Sequence, residues 1–236
     1  MRGYEMWEAF GPEIWIVDGP VVTAAAGFHY PTRMTVIRLA GGDLVIWSPV
    51  ALTPQLRGEV EMLGNVRYLV APNSLHDSFI ADWHRAFPVA QVLAAPGVRE
   101  KRADLKFGAD LGNTPVPGWT GEIEVVLVRG NRITTEAVAF HRPSGTVIFT
   151  DLLQQFPPGW FKGWRALVAR LDLMLADEPS VPRKFRVALS DKRVARAALR
   201  RIVAWRANKV LMAHGTPVRR EGHAFLKRAF AWLVKW

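Results

Sequence analysis

The stretch from Val66 to Ala94 constrains the fold more than any other part of this chain. Val66-Arg-Tyr-Leu-Val70 is short, apolar and β-branched, and reads as a strand. Ala71-Pro-Asn-Ser74 interrupts it. From about Leu75 to Phe87 the spacing of Leu75, Phe79, Trp83 and Phe87, one every four residues, predicts a helix with a buried stripe, flanked by a row of His76, Ile80 and His84. Ala90-Gln-Val-Leu-Ala94 reads as a second strand, closed by Ala95-Pro-Gly97. Strand, helix and strand make a βαβ unit. Parallel strands need such a crossover, and the crossover covers a sheet face, so a layered α/β fold follows.

The flanking sequence supplies a second kind of sheet. Glu13 to Val17 reads as a strand, and Met34 to Leu39 and Leu44 to Trp47 form a hairpin across Gly41-Gly-Asp43. Thr53-Pro54 opens a helix that Gly64 closes after Leu63. Arg102 to Thr120, rich in Gly, Pro and Asp, reads as a surface loop. Glu122 to Val128, Ile133 to Phe140 and Gly145 to Thr150 then form an antiparallel meander. Ser190-Asp191 caps a helix from Lys192 to Trp205 whose apolar row is Val194, Ala198, Ile202 and Trp205, with its arginines in solvent. Lys209 to Ala213 is a last strand, and His223 to Val234 a closing helix. With 236 residues and no linker or repeat, one domain over 1–236 is expected.

The chain has no Cys, which removes disulfides, thiolate metal sites and a cysteine nucleophile and leaves His and carboxylates to hold any metal. Met1 to Trp15 carries Glu5, Glu8 and Glu13, unlike a signal peptide, and no uncharged apolar run reaches the roughly 20 residues of a membrane-spanning helix. A cytoplasmic protein without a transmembrane segment is expected. The net charge of +10 is uneven: from Gln155 onward 18 Lys and Arg face 5 Asp and Glu. Such a basic third serves either as a solvated face or as an attractor of phosphates or anionic lipid.

Three strands end in side chains able to bind metal or move protons: Val70 leads to His76 and Asp77, Thr150 to Asp151, and Ala213 to His214. Ligands gather outside the carboxyl ends of strands in layered α/β folds, so these groups are expected to converge. Pairing Phe140 with Thr146 puts Thr135 opposite Asp151 and Glu136 beside it, which adds Glu136 as a candidate. Each residue also has a structural reading: His76 and Asp77 as helix-start residues, Asp151 as a turn cap, His214 as a core hydrogen-bond partner. His84 reads as a helix-face residue, His141 lies at the turn opposite the expected site, and His29 and His223 show no partner. No Gly-rich phosphate loop, serine elbow or Cys pair is present.

The ordered elements, together with Tyr30-Pro-Thr-Arg-Met34, Ala71-Pro-Asn-Ser-Leu-His76, Phe140-His-Arg142 and Phe149-Thr-Asp151, resemble the metallo-β-lactamase superfamily, and more narrowly an uncharacterised domain family at its edge. The resemblance spans nearly the whole chain and implies an αββα sandwich. The superfamily loop His-x-His-x-Asp-His falls on Pro72 to Asp77, so its first two histidines are lost and its last pair stands as His76-Asp77; a one-residue shift would put Asn73 at a histidine position. The histidine expected before the next hairpin strand is also missing. Asp151 falls on the bridging aspartate and His214 on the last histidine. The resemblance thus implies at most one metal, Zn, Fe or Mn, held by His76, Asp77, Asp151 and His214.

Two functions of different classes follow. One is a single-metal hydrolase of a small, anionic substrate, with Asp151 as ligand or water-orienting base and Glu136 as acid/base or supporting group. The other is a catalytically degenerate fold that binds a protein, anionic lipid or nucleic-acid partner. Peripheral membrane contact through Phe156 to Trp164 belongs with this second reading, since Trp and Lys favour interfaces, beside the simpler role of a loop over the core. Nucleic acid through Lys192, Arg193, Arg196, Arg200 and Arg201 ranks last, for want of a recognisable module.

Overall fold

The computed structural model describes residues 7–112 and 114–236; residues 1–6, part of the N-terminal stretch considered above, lie outside the described residues, as does Asn113. Among the described residues, ten strands form two sheets. The first has the order β1 (Glu8–Gly11), β2 (Ile14–Thr23), β3 (His29–Arg38), β4 (Asp43–Trp47), β5 (Asn65–Ala71) and β6 (Gln91–Ala94). Its first four strands are antiparallel, and β4, β5 and β6 run parallel. The second sheet has the order β10 (Lys209–Leu211), β9 (Thr146–Ile148), β8 (Glu136–His141) and β7 (Ile123–Val128), with β9 and β10 parallel.

The sheets face each other across a core that joins Ile37, Val45 and Val70 of the first to Leu127, Ala139, Ile148 and Leu211 of the second. The outer face of the first sheet is covered by α1 (Pro54–Leu63), α2 (Ile80–Ala86) and α3 (Val98–Lys101), through Leu56, Val60, Ile80, Trp83 and Val98. Two helices, α6 (Lys192–Ala204) and α7 (Gly222–Phe230), cover the second through Leu199, Ile202, Phe225 and Phe230. The result is an αββα sandwich. Covered on both faces, Leu44 to Trp47 of β4, Tyr68 to Ala71 of β5 and Ala137 to Phe140 of β8 are continuous apolar runs. Two short helices, α4 (Trp164–Leu171) and α5 (Arg183–Val187), lie between β9 and α6 in the chain.

Local chemistry sets the boundaries. Thr53 accepts the Leu56 N–H at 3.1 Å and opens α1 as expected, while Asp191 accepts from Arg193 and Val194 at 3.0 Å and opens α6. Gly64 is required by proximity, since a Cβ there would stand 2.4 Å from the Gly42 carbonyl oxygen. The buried stripe of α6 is Ala195, Ala198, Leu199, Ile202 and Val203, with Val194 only half-buried.

Three expectations change. The helix predicted from Leu75 begins at Ile80, and Leu75 is exposed, because Asn73 closes a tight turn there instead. Gly145–Thr150 and Lys209–Ala213 contribute shorter strands: the Phe149 N–H still reaches the Leu211 carbonyl, but from Thr150 to Leu152 the N–H groups go to the Glu136 carboxylate rather than to the ladder. The loop expected on the surface sends Trp119 between the sheets, against Trp47 and Tyr68.

Candidate metal centre

Asn73, 0 % exposed, organises the turn after β5. Its Oδ1 accepts the N–H groups of Leu75 (2.8 Å) and His76 (3.1 Å), and its Nδ2 donates to Thr150 Oγ1 and Asp151 Oδ2, both at 2.9 Å. One amide thus fixes both the backbone that presents His76 and the carboxylate that faces it. The Pro72 carbonyl accepts from the Ala137 N–H of β8 at 2.8 Å, stapling the two sheets at the same end. Side chains that follow β5 and β9 can then meet.

Asp151 lies between two imidazoles. His76 Nε2 is 3.1 Å from its Oδ2, His214 Nε2 is 3.4 Å from its Oδ1, and one ligand atom of each residue lies within 4.8 Å of the others. Gln154 Nε2 also donates to Oδ1 at 3.2 Å. His214 arrives because β10 runs parallel to β9, so the chain leaves both strands at one end.

The outer ring nitrogens bear on what this set could hold. His214 Nδ1 is 2.7 Å from the Pro31 carbonyl oxygen. A carbonyl only accepts, so Nδ1 carries the hydrogen, and in the neutral ring Nε2 presents a lone pair to a carboxylate. Two acceptors face each other there, an arrangement relieved by a proton or by a cation. His76 Nδ1 meets Ser48 Oγ at 2.7 Å. Imidazoles oriented through the far nitrogen, converging with a carboxylate, are a donor set suited to Zn²⁺, Fe²⁺ or Mn²⁺. The residues present therefore fit one such ion.

The electrostatics agree. Burial disfavours a charged His76, yet the adjoining Asp151 carboxylate, with Glu136 and Asp77, outweighs it and raises the His76 pKa. Burial likewise works against ionised Asp151, but His76 and His214 hold its pKa well below the usual carboxylate value. Glu136 lies one register step from its expected place: His141, not Phe140, pairs with Thr146, and extending that ladder puts Glu136 opposite Asp151. Its carboxylate accepts the N–H groups of Thr150 (2.8 Å), Asp151 (3.0 Å) and Leu152 (2.8 Å). Burial and then the Asp151 charge push its pKa up to about 7, against the pull of those amides. Glu136 holds the turn that carries Asp151.

Asp77 does not join the group. Its buried carboxylate takes Lys101 Nζ at 2.8 Å, because the loop that turns His76 into the cleft points the next side chain toward α3. The cleft, about 240 Å³, is lined by Tyr30, Phe79, Ile133, Phe185 and Lys184 besides the three site residues.

Residues 12–163 match the family described as Domain of unknown function (DUF4336). The chain belongs to that family. A search of the curated proteins returns no significant match. Among solved structures the chain is similar to a metallo-β-lactamase from Erythrobacter litoralis (11 % identity, 99 % of each chain covered, TM-score 0.65). It is also similar to a mono-zinc metallo-β-lactamase from Pseudomonas aeruginosa (12 %, 98 % of this chain and 96 % of that one, TM-score 0.64). A metal-soaked flavodiiron core from Synechocystis sp. PCC6803 matches at 13 %, over 97 % of this chain and 60 % of that one, with a TM-score of 0.64. At these identities the likeness concerns the fold: this DUF4336 member has the metallo-β-lactamase architecture.

Sequence reasoning passed over two groups of this DUF4336 site. Ser48 follows β4 with a positive φ of 56°, unusual for a non-glycine and stabilised here by its contacts to His76 and the Val70 carbonyl. Its place at a strand's carboxyl end was the available signal. Lys184, 3.1 Å from the Tyr30 hydroxyl and 3.5 Å from Asp172, gave none, because it reaches the cleft from a distant short helix.

Proposed function

We propose that His76, Asp151 and His214 hold one divalent metal ion and that the chain is a hydrolase of a small anionic substrate. The observation that carries this reading is the convergence of His76 Nε2 and His214 Nε2 on the Asp151 carboxylate, each ring oriented through its Nδ1, on the wall of an open cleft. When bound, such an ion supplies Lewis-acid polarisation and brings water's acidity toward neutral pH. The chain's own groups do the rest. Asn73 and Gln154 hold the Asp151 carboxylate, and Glu136 fixes its turn. Lys184 supplies a cation for an anionic substrate group, and Tyr30, Phe79 and Phe185 keep the cleft wall apolar. Three ligands leave room for substrate, as open catalytic sites require. The mono-zinc form of a protein sharing this fold is consistent with one ion.

A binding protein without turnover is the second reading, favoured by Asn73, which occupies the turn where the superfamily pattern has histidines and makes four hydrogen bonds there. Elemental analysis of protein purified without an affinity tag separates the two. About one equivalent of Zn, Fe or Mn, abolished by His214→Ala and retained in His84→Ala, is expected. No metal in the unmodified protein, even after incubation with each ion, overturns the hydrolase reading.

A further inference from the structure

Helix α4 carries its apolar residues on the wrong side for a core helix. Trp164, Leu167, Val168 and Leu171, at positions i, i+3, i+4 and i+7, are 55, 61, 41 and 56 % exposed, whereas Ala169 on the opposite side is buried. The helix is firmly seated by that inner side, where Phe156, Phe161, Ala169 and Met174 form a small core of their own. Its outer stripe continues onto the β2–β3 tip. Phe28 meets the Trp164 ring edge-on at 5.8 Å, Arg165 Nε donates to the Ala26 carbonyl at 2.8 Å, and Val21 and Ala24 to Ala26 are exposed.

Charge identifies what this surface suits. Residues 19–32 and 156–171 contain no Asp or Glu, while Lys162, Arg165 and Arg170 border the stripe. The next acid, Asp172, is engaged by the backbone N–H and the ammonium of Lys184. An apolar stripe bordered by cations and free of acids matches the boundary of an anionic bilayer. Trp and Leu side chains enter the acyl edge there, and Lys and Arg reach back to the phosphates. A second copy suits it less well: a two-fold interface would set the same cations against themselves.

We propose that α4 and the β2–β3 tip form a docking surface for an anionic phospholipid bilayer. Both parts are already folded, with α4 packed on Phe156, Phe161 and Met174, so docking requires no new secondary structure. Val22 and Ala24 of the tip also line the metal cleft, so docking brings the cleft beside the lipid. The inference holds whether or not the cleft is catalytic.

Sedimentation of the full chain with phosphatidylcholine vesicles, with and without phosphatidylserine, tests it. Binding is expected on the phosphatidylserine vesicles and should weaken with added salt. The double variant Leu167→Glu/Leu171→Glu should lower the apparent affinity at least about tenfold with an unchanged unfolding midpoint, since both side chains lie in solvent. Lys162→Ala/Arg170→Ala should lower it too, through charge alone. Absence of binding to phosphatidylserine vesicles, or unchanged binding by the double glutamate variant, overturns the proposal. A stable dimer that the double glutamate variant dissociates also overturns it, by giving the face to a second copy.

Discussion

Asn73→Ala should destabilise the protein more than its small change in volume suggests. The substitution removes the two bonds donated to Thr150 and Asp151 and the two accepted from Leu75 and His76. The losses are unequal. The His76 N–H keeps the Asn73 backbone carbonyl at 3.2 Å, and Asp151 Oδ2 keeps His76 Nε2, but the Leu75 N–H loses its side-chain acceptor. A net bond contributes about 1 kcal/mol and one to a charged group about 1.5 to 3, so after water partly refills the site the cost is about 3 kcal/mol. In a chain of this length that lowers Tm by about 6 to 12 °C. Urea unfolding followed by far-UV circular dichroism, with the slope on denaturant unchanged, measures it directly. The same substitution should weaken metal binding by about 10- to 100-fold, because His76 and Asp151 lose their common brace. Asn73→Asp keeps the acceptor side but sets an oxygen against Asp151, and should be at least as damaging. A stability loss below about 0.5 kcal/mol for Asn73→Ala would refute the reasoning, since it would mean that water replaces all four bonds at no cost.

Two further outcomes are expected away from the site. Burial pushes the His141 pKa down to about 4 from 6.5, so the folded state keeps the ring neutral while the unfolded chain protonates it between those values. Stability should therefore fall as pH drops from about 6.5 to about 4 and lose nothing more from this group below that, by at most about 3 kcal/mol and less where water reaches the ring. Urea titrations across that range should show a flatter dependence for His141→Asn, and an identical dependence would refute the assignment. Asp191→Ala removes the acceptor of two N–H groups at the start of α6 and should cost about 1 kcal/mol, read as a shift in the urea midpoint.

Much of the layered architecture was legible along the chain because its signals are local. The β-branched run at Val66 to Val70, the Gly-rich turn before Leu44 and the cap residues Thr53 and Asp191 each act within a few residues of themselves, and each element stands close to its expected place. His76, Asp151 and His214 were legible for a related reason: each follows a strand, and strands of one edge deliver their followers to one place. Glu136 was one register step off, since sequence gives the turn only approximately while the ladder fixes it.

Where the chain meets itself across long separations, only the tertiary structure decided. The residue pattern placed His76 and Asp77 together as ligands. The Asn73 turn parted them, sending one to Asp151 and the other to Lys101. Spacing predicted a helix at Leu75, and that turn, braced by Thr150 and Asp151 from the other sheet, prevailed over the local preference. Helix α4 shows the same limit in reverse: its apolar stripe was present in the sequence, but whether it faced core or solvent depended on which side Phe156, Phe161 and Met174 filled. Periodicity along a chain specifies which residues share a face. What that face meets is set by contacts between residues far apart in sequence, whose free energy no local pattern contains.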